Sequence, residues 1–255
     1  MDNSQDNNLV NCQISNQWKF FDKIFCISVD DRTDRQQQAK AQFKSVGLLD
    51  FVEFILVKRH PENCEQGIYE SHLFCIKKAL DAGANTTLIF EDDIIFNRFT
   101  PETLEVCINF LLSDTNWKLF FMGCLVRKSN VLTNKKNHTP SILEIEYRSL
   151  THAYVLNKKT SEKILEKKWD GTAYDEMLNT INGGVYAVYP SFAFQSNSPT
   201  DNKNWLKLDK FRRYFGGLER IQKINELYCR HKICVISVHV FIILIILFLF
   251  FWTMG

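Results

Sequence analysis

Three consecutive carboxylates, Glu91, Asp92 and Asp93, are the side chains of this sequence best suited to chemistry. They follow the apolar run at residues 88–90, which predicts a buried strand that ends where the acids begin. Strand alternation predicts that Glu91 and Asp93 lie on one side and Asp92 on the other. Adjacent like charges are costly unless a cation or solvent relieves them, and carboxylate oxygens suit Mg²⁺ or Mn²⁺. The triplet therefore indicates a divalent metal site that could bridge nucleotide phosphates, the alternative being a solvated acidic turn.

Several other side chains could contact a nucleotide or its phosphates. Arg32 and Arg35 follow the first predicted strand near a helix N-terminus, where phosphates bind; ordinary surface charge is the alternative. His72 shares a helical face with apolar residues, so it is either a satisfied buried histidine or a group that holds a donor or orients the acidic loop. His152 opens a predicted strand and could contact a metal or a phosphate, while Tyr154 is interpreted as packing.

The elements that must position these residues alternate between strands and helices. Strands are predicted at 23–29, 51–57, 86–90, 118–122, 151–156 and 185–194. Helices are predicted from Thr33 or Asp34 to 46, and at 67–82, 102–112, 160–168 and 174–180, with a polar hairpin-like insertion at 128–141. This alternation favours an α/β fold with a mixed, mostly parallel sheet and helices on both faces. Ligands bind such sheets at the carboxyl ends of the strands, where the acidic triplet falls.

An uncharged apolar run occupies residues 233–252, reading ICVISVHVFIILIILFLFFW. About 20 apolar residues cross the hydrocarbon core of a bilayer, so we expect a transmembrane helix rather than a buried core helix. Trp252 fits an interfacial aromatic. Residues 203–232 carry nine basic and three acidic side chains, and positive flanks stay cytosolic and attract anionic lipids. The pattern predicts a single-pass, tail-anchored protein, bound to membrane lipids, whose domain lies on the cytosolic face.

Chain length and hydrophobic content predict how the chain is divided into segments. Its 255 residues, 45% of them hydrophobic, suit one α/β domain plus an appendage. The predicted segments are a disordered leader (1–18) without a signal peptide, a catalytic domain (19–202), a basic juxtamembrane helical segment (203–232) and the transmembrane helix (233–252). The apolar stripe of the basic segment predicts a helix that lies on the membrane or packs on the domain. No nucleic-acid module accompanies this basic segment, so no nucleic-acid partner is expected.

Cysteine usage indicates a reducing compartment. The chain has eight cysteines and no C-x-x-C pair, and Cys26 and Cys75 lie within apolar runs. Such thiols usually behave as small buried hydrophobes, so neither a disulfide framework nor a structural zinc site is predicted.

Six segments resemble, in order, the motifs of glycosyltransferase family 25, the family of bacterial lipooligosaccharide transferases and procollagen galactosyltransferases. They are 27–35 (ISVDDRTDR), 67–73 (GIYESHL), 88–93 (LIFEDD), 151–156 (THAYVL), 175–178 (DEML), and Tyr189-Pro190 followed by Gln195. The sequence departs from the family pattern at Ser28, where Asn is usual, and at Asp31, where Arg is usual.

The resemblance implies a GT-A-like (Rossmann-like) fold, a nucleotide-sugar donor such as a UDP-hexose, Mn²⁺ or Mg²⁺, and inversion at the anomeric carbon. Asp175 would be the catalytic base that takes the proton of the acceptor hydroxyl, whereas its local pattern alone favours a helix cap. The resemblance, together with the residue patterns above, assigns donor-binding roles to Asp30, Arg32, Arg35, Ser71, His72, Asp92 and Gln195. It assigns metal binding to Glu91, Asp93 and His152.

These observations favour a metal-dependent inverting glycosyltransferase whose acceptor is a glycan, a lipid-linked glycan or a protein at a membrane. One alternative is a catalytically inactive membrane adaptor on a transferase fold, which the intact triplet and Asp175 disfavour. Another is a metal-dependent phosphoryl-transfer enzyme, which the absence of a Walker-type lysine loop disfavours.

Overall fold

A computed structural model describes residues 16–132, 140–199 and 206–254, with side chains described as far as residue 246. The strands are β1 (Lys23–Val29), β2 (Glu53–Val57), β3 (Thr86–Glu91), β4 (Ile94–Phe96), β5 (Leu119–Phe121), β6 (Leu125–Val131), β7 (Ser141–Ser149), β8 (Ala153–Asn157), β9 (Val185–Tyr189) and β10 (Ala193–Gln195). The helices are α1 (Thr33–Ser45), α2 (Cys64–Asp81), α3 (Pro101–Ser113), α4 (Lys158–Leu165), α5 (Tyr174–Leu178), α6 (Leu206–Tyr214), α7 (Gly217–Arg230) and α8 (Lys232–Met254).

A large mixed sheet organises the described part of the chain, in the strand order β2-β1-β3-β8-β5-β9-β7-β6, while β10 pairs with β4 separately. The strands β1, β2 and β3 are parallel, as are β5 and β9. In contrast, β8 runs antiparallel between β3 and β5, and β7 runs antiparallel between β9 and β6. The mixed α/β sheet is confirmed. The expectation of mostly parallel pairing is wrong, because β6 and β7 form a hairpin and neighbours joined in that way pair antiparallel.

Two hydrophobic cores lie on opposite faces of the sheet, as the predicted flanking helices require. In β3 the alternate residues Leu88 and Phe90 pack with α1 and α3, whereas Ile89 packs with α2, α4 and α5. The period-2 alternation of a strand that is buried on both faces thus separates the two cores.

The boundaries of several elements differ from the predicted ones for local reasons. Helix α2 begins before residue 67 because the Asn63 side chain accepts hydrogen bonds from the N–H groups of Glu65 and Gln66. The predicted strand at 185–194 is divided into β9 and β10 around Pro190, which has no N–H for the sheet. The hairpin-like insertion consists of β6 and β7, and residues 133–139 lie outside the described residues.

The domain also begins earlier than residue 19. Trp18 is fully buried, its indole N–H donates to the Val46 carbonyl at 2.8 Å, and its ring stacks on Phe99. The rest of the predicted leader, residues 1–15, lies outside the described residues. At α1, the residue that precedes the helix is Arg32, with no side-chain cap, so neither Thr33 nor Asp34 occupies that position.

The C-terminal region is helical, with α7 followed directly by α8. Within the described residues, no helix taken alone has the length and apolar character needed to span a membrane. The pair Gly217–Arg230 and Lys232–Ile246 meets those criteria together, with a bend of 96° between the two helices. Every cysteine in the described ranges is a free thiol, and Cys26 and Cys75 are fully buried, as predicted.

Candidate active site

A cleft of about 720 Å³ opens at the carboxyl ends of β1, β2 and β3. The chain passes from β1 through α1 to β2 on one side, and through α2 to β3 on the other side of β1. The crevice between β1 and β3 is thus a topological switch point, the place where open α/β sheets bind ligands. All three acids of the triplet line this cleft, together with Arg35, Ser71, His72 and Gln195.

Asp92 is held at the switch point by partners from the neighbouring strand and helix. The Ser28 hydroxyl, at the end of β1, donates to Asp92 Oδ2 at 2.6 Å. Arg35 Nη1, from α1, donates to Asp92 Oδ1 at 3.2 Å. Burial raises the pKa of Asp92 above its ordinary value, and these two partners oppose that rise.

Asp93 has fewer partners. Gln195 Nε2 donates to Asp93 Oδ2 at 2.8 Å, and Arg35 Nη1 lies 3.7 Å from the same oxygen. The other oxygen, Oδ1, is buried and has no hydrogen-bond partner among the described residues. Burial and the neighbouring Glu91 charge raise the pKa of Asp93 to about 7. Asp92 and Asp93 therefore both face Arg35, and the predicted division of the triplet is wrong because β3, and with it strand alternation, ends at Glu91.

Glu91 has a more favourable environment for its negative charge. The Thr151 hydroxyl donates to Glu91 Oε1 at 2.5 Å, and His72 Nε2 lies 3.5 Å from the same oxygen. Burial acts to raise the pKa of Glu91, but hydrogen bonds from His72 and Thr151 outweigh it, so the pKa lies below its ordinary value. The three adjacent carboxylates thus differ in their tendency to ionise.

A buried chain of hydrogen bonds lies behind Glu91. His72 Nδ1 is 2.8 Å from the Tyr154 hydroxyl, which is 2.9 Å from the Tyr174 hydroxyl. The His72 ring also stacks on Tyr174, with centroids 4.2 Å apart and planes 5° from parallel. If Tyr174 donates to Tyr154 and Tyr154 donates to Nδ1, the proton of a neutral His72 lies on Nε2 and faces the Glu91 carboxylate. His72 is thus placed to orient the acidic loop, one of the two roles predicted for it.

Asp175 lies near the start of α5, directly after Tyr174. It does not cap this helix, because the N-cap is Ala173, and Asp175 Oδ1 instead accepts the N–H of Glu176 at 2.9 Å. Burial raises the pKa of Asp175, and the charges of Glu176, Glu65 and Glu91 raise it further. Asp175 is not among the residues that line the cleft, and the chain through Tyr174 connects its helix to Glu91.

The remaining predicted residues lie in different places. Ser71 lines the cleft, although its hydroxyl donates to Gly67 O at 2.6 Å. Asp30 is exposed and does not line the cleft. Arg32 also does not line it, and its guanidinium forms an ion pair with Asp34. The structure therefore brings neither Asp30 nor Arg32 to the proposed donor site.

His152 is not brought to the cleft either. It is fully buried, and its Nε2 lies 3.1 Å from Ala193 O. Its Nδ1 has no partner in the described ranges, and burial lowers its pKa. Since Nε2–H is committed to a backbone carbonyl and the ring is shut off from the cleft, His152 does not fit the metal-binding role expected of it.

Sequence reasoning missed several side chains that shape the site. Ser28 and Thr151 hold the acids, and Lys58, Arg59 and Arg212 line the cleft. Lys58 and Arg59 directly follow β2, so the rule that singled out the triplet could have found them. Arg212 comes from α6, and its approach depends on tertiary packing that no sequence pattern signals.

Glu91 and Asp93 fit the divalent cation that the family resemblance implies. Both side chains line the cleft. The Asp93 Oδ1 atom accepts no hydrogen bond from the described residues, so it is available as a metal ligand. Within the described residues, no three His, Cys, Asp or Glu side chains converge on one point. A site with two protein carboxylates is nevertheless usual for Mg²⁺, which completes its shell with water and substrate phosphates.

Comparison with known proteins gives a match to one family model over part of the chain. Residues 62–178 match the family model of glycosyltransferase family 25 (LPS biosynthesis protein). This segment contains His72, the acidic triplet and Asp175, and leaves Arg35 and Gln195 outside it. Procollagen galactosyltransferase 2 of Homo sapiens is 23% identical over 174 residues, which are 57% of this chain and 27% of that protein. The chain thus spans about a quarter of the length of this relative.

Solved structures show weaker likenesses. A glycosyltransferase involved in the glycosylation of the major capsid of PBCV-1 has a TM-score of 0.40 at 14% identity, covering 65% of this chain and 80% of that one. The protein A197 from STIV has a TM-score of 0.39 at 10% identity, covering 68% of this chain and 84% of that one.

Proposed function

We propose that this chain is a member of glycosyltransferase family 25, whose model residues 62–178 match, and that it transfers a hexose from a nucleotide-sugar to a hydroxyl group of an acceptor, on a GT-A-like fold. The observation that carries the proposal is the cleft at the β1–β3 switch point, which brings the triplet, Arg35 and Gln195 together. The cleft combines three carboxylates with the basic side chains of Lys58, Arg59 and Arg212. This combination suits a donor that carries phosphates, because the basic side chains would bind the phosphates and the acids would bind the accompanying cation.

The contacts of the three acids indicate one role for Asp92 and another for Glu91 and Asp93. Asp92 is fully engaged by Ser28 and Arg35, so its role is to hold the loop and the guanidinium in place. Glu91 and Asp93 would hold Mn²⁺ or Mg²⁺, and a bound cation would stabilise the nucleoside diphosphate as it leaves. Lys58, Arg59 and Arg212 line the same cleft and would contact the phosphates of the donor.

Asp175 is proposed as the general base of an inverting transfer. A base must accept the acceptor proton near neutral pH, and the burial that raises the pKa of Asp175 moves it in that direction. The acceptor hydroxyl would approach from the side of α5, opposite the departing diphosphate. The hydrogen bond between Tyr174 and Tyr154 and that between Tyr154 and His72 connect α5 to the helix that contacts Glu91.

We also propose that α8 anchors the protein in a membrane, with the catalytic domain on the cytosolic face. The described side chains of α8 are almost all exposed, and they are apolar apart from Lys232, Ser237 and His239. Burying that surface in a bilayer would remove it from water, and the basic residues before it would meet anionic headgroups. The acceptor would then be a glycan, a lipid-linked glycan or a protein close to the membrane.

Thermal unfolding of the full chain in detergent tests the donor site. A panel of UDP- and GDP-hexoses with Mn²⁺ should include one donor that raises the unfolding temperature by several degrees. Asp93→Ala should abolish this rise. In contrast, Asp175→Asn should retain it and lose transfer, because the base does not hold the donor. A donor-induced rise that survives in Asp93→Ala without metal would contradict the proposal.

A further inference from the structure

Helix α7 turns a mainly polar face to the domain and an apolar face outward, which is the reverse of an ordinary surface helix. Four of the residues directed at the domain are polar and recur with helical spacing. They are Glu219, Gln222, Asn225 and Glu226, which bond Asn97, the Ala193 carbonyl, the Val126 backbone and the Ser191 N–H respectively. Gln222 is fully buried. Soluble helices normally bury their apolar stripe instead.

The outward face of α7 is apolar. Ile224 is 57% exposed, Leu227 55% and Tyr228 38%. The preceding α6 adds Phe211 and Tyr214, also exposed. Both helices therefore leave aliphatic and aromatic side chains exposed in the described structure, and we call these five residues the α6–α7 apolar face.

We propose that the α6–α7 apolar face lies in the surface of an anionic phospholipid bilayer and fixes the orientation of the catalytic domain. This inference rests on the membrane attachment proposed for α8. The bend of 96° between α7 and α8 means that, with α8 along the membrane normal, α7 lies in the membrane plane. Interfacial helices lie in that orientation, with the apolar face towards the acyl chains.

Charge and continuity favour lipid over other occupants. Helix α8 follows α7 directly, and its described side chains are likewise mostly exposed and apolar, so one apolar medium could accommodate both. The basic side chains of the region lie beside it at Lys207, Lys210, Arg213, Arg220, Arg230 and Lys232. Such a mixture of exposed aromatic, aliphatic and basic residues is typical of surfaces that bind anionic headgroups.

The contact has a consequence for the active site. Asp209 and Arg212 of α6 and Leu218 of α7 line the cleft, while Phe211 and Tyr214 of α6 belong to the apolar face. One wall of the cleft is therefore also the membrane contact. The cleft would open beside the bilayer surface, which favours acceptors that are themselves held in the membrane.

Fluorescence quenching by brominated lipids tests this contact on the full chain, reconstituted into phosphatidylglycerol–phosphatidylcholine vesicles. The tryptophan introduced by Tyr228→Trp should add emission that lipids brominated near the headgroup quench by more than half. Phe74→Trp, at an aromatic site on α2 that is 53% exposed against 38% for Tyr228, is the control and should add emission that these lipids leave unquenched. In the Tyr228→Trp background, Ile224→Glu with Leu227→Glu should remove the added quenching.

The outcomes separate this inference from the proposals on which it rests. Alkaline extraction reports insertion of α8, and donor-induced stabilisation in detergent reports the active site. An inserted, donor-binding protein in which Tyr228→Trp adds no quenchable emission would overturn the membrane contact. If that emission instead shifts to the blue as protein concentration rises, a second copy covers the face, which also overturns it. Quenching that survives both glutamates would equally contradict this face as the contact.

Discussion

At the scale of single residues, the acidic triplet is a set of three unlike carboxylates. Glu91 receives bonds from His72 and Thr151, which lower its pKa, whereas burial raises the pKa of Asp92 and Asp93. Asp93 has the least support, since one of its oxygens has no partner among the described residues. A cation beside Glu91 and Asp93 would relieve this arrangement, so the native structure without ligand is destabilised at the position that the proposed chemistry uses.

The pKa of Asp93 predicts how stability depends on pH. Because its folded pKa of about 7 lies above the ordinary value of 3.8, the unfolded chain releases this proton first. Stability therefore falls as pH rises from about 4 to 7 and then stays low. We expect Asp93→Asn to raise the unfolding temperature by several degrees at pH 8 in the presence of a chelator, and to change it little at pH 4.

The matched control for this prediction is Asp50→Asn, at an exposed aspartate after α1. Circular-dichroism melts of the wild type and both variants at pH 4, 6 and 8 give the comparison. A gain for Asp93→Asn that is equal at all three pH values would show that the carboxylate is already ionised at pH 4. That result would contradict the electrostatic description of the triplet.

At the scale of elements, the hydroxyl chain behind Glu91 joins β8, α2 and α5. Tyr154→Phe leaves the Tyr174 hydroxyl and His72 Nδ1 without partners, and an unsatisfied buried group costs about 1–3 kcal/mol. We expect Tyr154→Phe to lower the free energy of unfolding by about 2 kcal/mol or more, and Tyr174→Phe by about 1 kcal/mol. The double variant should lose less than the sum, since the two hydroxyls satisfy each other.

Tyr147 supplies the control within the same core. Its hydroxyl is buried and has no hydrogen-bond partner in the described ranges, so Tyr147→Phe should be neutral or slightly stabilising. Urea unfolding of the four variants measures these differences. Strict additivity of Tyr154→Phe and Tyr174→Phe would refute the hydrogen-bonded pair.

Gly123 follows β5 and lies against both β10 and α7. A Cβ atom there would lie 1.8 Å from the Ala193 carbonyl oxygen and 2.6 Å from Gln222 Nε2. Gly123→Ala should therefore displace β10 or α7 and lower the free energy of unfolding by about 3 kcal/mol. Asp50→Ala, at the exposed aspartate after α1, is the control and should change stability by less than about 1 kcal/mol. Urea unfolding of both variants measures the difference, and equal losses would contradict the close approach at Gly123.

Some of this architecture could be predicted from the sequence because it depends on local patterns. The bounds of β1 agree with the prediction at both ends, and the apolar run before Glu91 gave the position of the triplet at a strand end. The orientation of α7 could not be predicted, because its apolar stripe is readable but the polar contacts that hold the other side arise only in the tertiary structure. The prediction left open whether this helix lies on a membrane or packs on the domain, and the structure shows that its polar side packs on the domain.

The candidate site shows the same division. Arg35, His72 and Gln195 reach the cleft as the family motifs implied. Arg32 does not, because it forms an ion pair with Asp34 in the next turn of chain. His152 does not, because its ring is fully buried and bonds the Ala193 carbonyl. The position of a motif therefore predicts which loop carries a side chain. The ion-pair and hydrogen-bond partners of that side chain, which the motif does not reveal, determine its direction.

At the scale of the whole molecule, the strand ends of the sheet and the C-terminal helices α6 and α7 contribute residues to the same cleft. The triplet lies at the switch point, Arg212 of α6 lines the same cleft, and Asp175 lies outside the cleft lining on α5, which the Tyr174–Tyr154–His72 chain connects to Glu91. The proposals place donor, base and membrane around this single cleft. Turnover of a nucleotide-sugar in this cleft is the property on which the donor, base and membrane roles all depend.

Release of nucleoside diphosphate by the full chain tests that claim most directly. With Mn²⁺ and the donor that stabilises the protein, we predict release that a chelator stops and that Asp93→Ala slows at least roughly 100-fold, as expected for loss of several kcal/mol of transition-state stabilisation. Asp50→Ala should stay within about twofold of the wild type, because exposed substitutions far from a site change little. Equal rates in the wild type and Asp93→Ala, or no release from any donor in the panel, would contradict the account and favour an inactive membrane adaptor.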